Sequence, residues 1–157
     1  MTMADRRHAS PDRRQFARGG RRATDRAGRY PHVLVADSYD GARIPCAKYL
    51  DRMGFGVLEV GNGLSALEHI DALAAHVIVI QSGLPDAPVA QIVHRLRGSG
   101  QAVPLIVMTS DLDVVDESFM AGLPLVAILE KPFSLTTMLR EIRRLLRAPR
   151  IAVEPSL

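Results

Sequence analysis

The chain has 157 residues, 47% of them hydrophobic, with one cysteine, no tryptophan and a net charge of +3. That length suits one domain with a tail, and with aromatics at 4% the core must be built mainly from Val, Leu, Ile and Ala. A lone Cys46 excludes an intrachain disulfide or a multi-cysteine metal site, the first thirty residues hold no apolar run, and no later stretch approaches the ~18 apolar residues of a membrane span; a soluble, cytoplasmic protein without a cofactor is expected.

Charge divides the chain. Residues 1–31 carry nine Arg against three Asp, residues 32–139 carry six basic residues against twelve acids, and residues 140–157 carry five Arg against two Glu. A basic arm is thus attached to an acidic body. The arm lacks any helical or strand period and is expected to be disordered when alone. Three readings of it stay open. It is a solubilising linker; it is an anion binder for nucleic acid or a phosphorylated messenger; or it lies on the acidic body and masks it in a salt-dependent way. For the messenger, Arg22 and Asp25 fit an Arg-x-x-Asp pattern that resembles the inhibitory cyclic di-GMP site of diguanylate cyclases. Arg14 and Arg18 fit the Arg-x-x-x-Arg spacing of another cyclic di-GMP-binding family, and Arg21 and Arg26 complete the basic cluster.

From His32 onward short aliphatic runs alternate with segments of helical period. HVLVA (32–36), VLEV (57–60), HVIVI (76–80), VPLIVM (103–108) and LVAIL (125–129) mostly lack apolar/polar alternation, as strands covered on both faces do. Between and after them, apolar residues recur at helical spacing: Ile44, Tyr49, Leu50 and Met53; Leu64, Leu67, Ile70 and Leu73; Val89, Ile92, Val93 and Leu96; and Leu135 through Leu146. Such units predict an α/β fold with a doubly wound, five-stranded parallel sheet, whose chemistry gathers at the carboxyl ends of the strands.

Those ends read Asp37-Ser38, Gln81-Ser82-Gly83-Leu84-Pro85, Thr109-Ser110 and Glu130-Lys131-Pro132-Phe133. With VLVADSYDGAR, GNGLSAL, IVMTS and KPF in this order, the region 32–148 resembles a response-regulator receiver domain of the CheY-like, flavodoxin-like type. The resemblance implies a module of a two-component or phosphorelay system. In that family two carboxylates after the first strand and one after the third hold Mg²⁺, the third-strand aspartate accepts a phosphoryl group, and a hydroxyl and a lysine stabilise it.

Carried over position by position, Asp37 matches the first acid, Thr109 the hydroxyl and Lys131 the lysine. Ser38 stands for the second acid and Gln81 for the phosphoacceptor, and Ile128 occupies the position of the usual aromatic relay. The pocket Asp37, Ser38, Gln81, Thr109 and Lys131 is therefore expected to be degenerate: a pseudo-receiver, not an enzyme, with no metal. Lys131 is expected to pair structurally with Asp37, and Asp37, Ser38 or Asp40 is a candidate cap for the first helix. Pro45 marks either a kink or a later helix start. Cys46 reads as a small core residue and the five histidines as surface or strand-end residues.

Function is then expected to lie in binding. Arg140, Arg143, Arg144 and Arg147 are spaced to form one stripe on the last helix, read either as a solvated face complementing the helix dipole or as a docking face. The expected domain plan is an arm over residues 1–31, a receiver-like domain over 32–148 and a flexible tail over 149–157. The leading reading is phosphorylation-independent interaction with another signalling protein or a second copy, with no membrane; the alternative is cyclic di-GMP or nucleic-acid binding through the arm.

Overall fold

Each of the five aliphatic runs becomes a five-residue strand: β1 (His32–Ala36), β2 (Gly56–Val60), β3 (Val77–Gln81), β4 (Leu105–Thr109) and β5 (Val126–Glu130). The computed structural model describes residues 31–72, 74–100, 102–112 and 125–147. The arm residues Arg14, Arg18, Arg21, Arg22, Asp25 and Arg26, the tail 149–157, Leu73, and most of the segment between β4 and β5 lie outside the described residues. Four helices are described: α1 (Asp40–Arg52), α2 (Gly63–Asp71), α3 (Val89–Ser99) and α4 (Leu135–Arg147).

All pairings are parallel, and the strand order is β2-β1-β3-β4-β5. The absence of alternation in the strands has a direct cause. Leu34, Ala36, Ile78, Ile80 and Val107 face one core with α2 and α3, while Val33, Val35, Val79, Ile106 and Met108 face a second core with α1 and α4. Both faces are dry, so both must be apolar. The fourth strand begins at Leu105, after the Val103-Pro104 start of its apolar run, since Pro104 has no N–H for a ladder; its carbonyl instead accepts from Ile78 N–H at 2.9 Å.

The helical faces need two corrections. In α1 the buried face is Cys46, Ala47 and Leu50, while Ile44 and Met53 are exposed. Leu50 and Cys46 are buried as read, and the face is completed by Ala47, a small residue that a period counted on large ones overlooks. Leu64 is likewise exposed, because Gly63, Ala66, Leu67 and Ile70 form the packed arc of α2 and Leu64 stands about 100° round the helix from Gly63. Pro45 does not mark a later helix start: α1 begins at Asp40 and runs through the proline. None of the proposed residues, Asp37, Ser38 or Asp40, caps it: the N-cap is Tyr39, without a side-chain cap bond, and Asp37 accepts instead from the Tyr39 N–H at 2.9 Å.

The start of α2 is held from outside the helix. Asn62 accepts from Ser65 N–H at 2.8 Å, and Asp86, in the loop before α3, accepts from the N–H groups of Gly63 at 2.7 Å and Leu64 at 3.1 Å. A Cβ on Gly63 would collide with Ala87, so the glycine is what lets this loop close on the helix. The hydrogen bonds from Gly63 and then Leu64 hold the Asp86 carboxyl below its ordinary value. A carboxyl lowered in the folded state stabilises the fold above its unfolded pKa of about 4 and loses that contribution as pH falls through the folded value. Urea midpoints of the native protein should therefore fall on acidification from pH 7 to pH 3 by more than those of Asp86→Asn. Equal acid sensitivity in the two proteins would remove this capping role.

Candidate functional site

The strand order reverses between β1 and β3, which opens a crevice above their carboxyl ends. The register there sets Ala36 beside Ile80 and Gln81 beside Met108, so the residues following β1, β3, β4 and β5 converge. Asp37 is fully buried. Its Oδ2 accepts from Lys131 Nζ at 3.0 Å and its Oδ1 from the Tyr39 N–H at 2.9 Å. The expected Asp37–Lys131 pair is thus present, with the lysine still partly exposed. Each carboxylate oxygen has a donor, which is what a buried charge requires.

Ser38 and Gln81 form a second, neutral pair. Gln81 Oε1 accepts from both the Ser38 N–H at 2.8 Å and the Ser38 hydroxyl at 2.9 Å. Thr109 is also occupied: its hydroxyl donates to the Asp111 carbonyl at 2.9 Å and accepts from Ser82 Oγ at 3.0 Å and the Asp111 N–H at 3.1 Å. One donor and two acceptor positions exhaust a threonine hydroxyl. All five predicted pocket residues therefore meet at one end of the sheet: Asp37 pairs with Lys131, Ser38 with Gln81, and Thr109 with Ser82 and the Asp111 backbone.

Three residues at this end of the sheet were not singled out from sequence. Arg43 ties the ends of β1 and β2 to α1, donating to the Asp37 carbonyl at 3.0 Å and pairing with Glu59 at 3.2 Å and Asp40 at 2.7 Å. Its i,i+3 spacing to Asp40 was the available signal. Ser82 and Asp86 act across 27 and 23 residues, respectively, and carry no local signal. Cys46 is buried as expected, and burial, followed by the charge of Asp37, pushes its thiol upward against the opposing effect of Lys131. An upward-shifted thiol is a poor nucleophile. His32 opens β1, and its N–H donates to His76 Nδ1 at 2.9 Å, a strand-end contact.

The arginine stripe divides in two. Arg140, Arg143 and Arg147, with Thr136 and Leu139, border a groove of about 340 Å³. Arg144 turns away to Glu141 at 2.7 Å. No helix among the described residues is long and apolar enough to cross a membrane.

A 2-1-3-4-5 parallel sheet with an acid after β1, a hydroxyl at the end of β4 and a lysine after β5 defines a receiver-type signalling domain. The sequence profile of the response regulator receiver domain matches residues 33–143, and the chain belongs to that family. Over 117 residues it is 32% identical to the response regulator MprA of Mycobacterium tuberculosis, covering 73% of this chain and 50% of that protein. The chain thus spans about half the length of the curated relatives it matches. Among solved structures it resembles full-length FixJ from B. japonicum, with a TM-score of 0.67 and 24% identity over 76% of this chain and 59% of that one. It also resembles the receiver domain of the sensor histidine kinase PA1611 from Pseudomonas aeruginosa, solved with magnesium in its active site cleft, with a TM-score of 0.66 and 20% identity over 78% and 100% of the two chains.

The Mg²⁺ implied by the family can be tested against the donors present. Mg²⁺ demands near-octahedral oxygen geometry and is held on a protein through one or two carboxylates whose oxygens turn to the ion, with waters completing the shell. Asp37, Ser38 and Gln81 supply one carboxylate, and its oxygens already serve Lys131 and Tyr39. The two remaining side-chain oxygens of the set are neutral: Gln81 Oε1 holds two donors from Ser38, and Ser38 Oγ is one of those donors. These residues do not fit the ion. Among the described residues no group of three or more His, Cys, Asp or Glu is placed to hold a metal.

Proposed function

We propose that this domain is a pseudo-receiver: a response-regulator module that signals by protein–protein interaction without taking a phosphoryl group at position 81. The observation that carries this reading is the bond pattern at Gln81, where an amide oxygen replaces the nucleophile and is engaged by Ser38. An amide is not a competent phosphoryl acceptor, and the flanking serine cannot replace an anionic metal ligand. The partner is another signalling protein or a second copy of the chain, in the cytoplasm, and the groove edged by Arg140, Arg143 and Arg147 offers it a cationic face.

Two measurements on the full chain test the two halves of the proposal. Incubation with radiolabelled acetyl phosphate and Mg²⁺ should leave the native protein unlabelled; stoichiometric label on the chain would sink the phosphorylation-independent reading. Capture of partners from the native host should be equal for the native protein and Gln81→Ala and be lost in Arg140→Glu/Arg143→Glu/Arg147→Glu. Unchanged capture by the charge-reversed protein would remove the docking face.

A further inference from the structure

A cavity of about 440 Å³ opens beside the pocket, between the start of α1 and the β5–α4 loop. Its body is apolar, formed by Tyr39, Pro45, Met108, Phe133 and Leu135, with Cys46 also in its lining. Its volume lies within the range of sites that hold small organic molecules, roughly 300–1,000 Å³. Two local features build it. The ring of Tyr39 lies against Gly41, where a Cβ would approach its Cζ to 2.6 Å, so a side chain there would displace the ring. Pro45 brings no N–H to the Gly41 carbonyl one turn before it, leaving a backbone acceptor without its helical donor on a residue of the cavity lining.

The polar end is as specific as the apolar body. Lys131 lines the cavity, and its ammonium has three N–H donors, one of which goes to Asp37. Ser110 lines it too, exposed and with no side-chain hydrogen bond to another described residue. Among the described residues of the lining none is acidic. Tyr39 is 67% exposed, an aromatic left at the mouth of an apolar cavity.

We propose that this cavity binds a small organic anion with a planar apolar body, the body between Tyr39, Pro45 and Phe133 and the anionic group at Lys131 and Ser110. This goes beyond the pseudo-receiver reading and does not depend on it, since the site uses neither Gln81 nor Ser38. Its consequence is a chemical input placed next to Lys131.

The test is an amide NMR titration of the full chain with 2-naphthoate and with its uncharged counterpart 2-naphthamide. For 2-naphthoate, saturable shifts at Tyr39, Cys46, Ser110 and Phe133 are expected, with a Kd of about 1 mM from ordinary binding per heavy atom. The amide should bind at least about threefold more weakly, since it offers Lys131 no charge. Ala42→Phe, which places a ring in the cavity from a half-buried position, should weaken naphthoate at least about tenfold. Shift mapping on the native protein needs no variant, so a poorly folding Ala42→Phe does not rescue the proposal. Absent or scattered shifts, equal binding of the amide, or unchanged binding by a folded Ala42→Phe would each overturn it. So would Overhauser contacts, in the ligand-free protein, from residues 1–30 or from a second copy to Tyr39 and Phe133, which would give the cavity to the chain itself.

Discussion

Lys131→Met is expected to destabilise the domain by about 3 kcal/mol, the low end of the range for a buried ion pair that loses one partner. The cost arises on the Asp37 side. Asp37 is fully buried, and without the lysine its Oδ2 has no donor among the described side chains that bond it now. The Tyr39 N–H remains on Oδ1, which keeps the loss from the top of the range. Asp37→Asn removes the other partner and should cost only about 1 kcal/mol: the amide oxygen still accepts from Tyr39, and the partly exposed lysine can turn to water. Urea unfolding of the two single variants and the double variant at pH 7 gives the cycle, with a coupling of about 2 kcal/mol expected from the same pair. A larger loss for Asp37→Asn than for Lys131→Met would show that the lysine is not what makes the buried carboxylate tolerable.

That pair was legible in the sequence because it joins two family motifs, the acid after β1 and the lysine after β5. The sheet was legible for a more general reason: strands covered on both faces cannot alternate, and the five runs of Val, Ile and Leu leave few other places to go. The helical faces were less legible. In α1, Leu50 and Cys46 are buried as read, but Ala47 completes the packed face, while Ile44 and Met53 face out although they share the large-residue period. Close approach of a helix to a sheet favours small residues, and a period counted on large ones misses them. The identity of Gln81 was readable, but its bonding was not, since an amide can face either neighbour and only the geometry brings both Ser38 donors to one oxygen. Asp86 on α2 and Ser82 on Thr109 are long-range contacts without a sequence signature.

The bonding between Ser38 and Gln81 makes the two positions one unit, and the second large effect follows from changing both. Gln81→Asp alone keeps an oxygen facing the two Ser38 donors, so it should fold normally. It supplies a nucleophile but only two carboxylates, with Asp37 still held by Lys131, and acetyl phosphate should label it slowly. Ser38→Asp/Gln81→Asp supplies three carboxylates and should label at least about tenfold faster with Mg²⁺, equivalent to about 1.4 kcal/mol of the several that a metal contributes to phosphoryl transfer. Stability should move in the opposite direction. Three anions facing one lysine repel, and the Ser38 hydroxyl donor that Gln81 now receives is lost while the backbone N–H of position 38 stays, so the metal-free double variant should melt below the native protein, and Mg²⁺ should raise its melting temperature while leaving the native value unchanged. If Gln81→Asp alone labels as fast as the double variant, position 38 is irrelevant to the chemistry, and the missing nucleophile would be the whole of the pocket's departure from its family. If instead the double variant gains both Mg²⁺-dependent stability and label, the serine and the glutamine together are what removed phosphoryl chemistry from this fold, by replacing two negative charges with a hydrogen-bonded neutral pair.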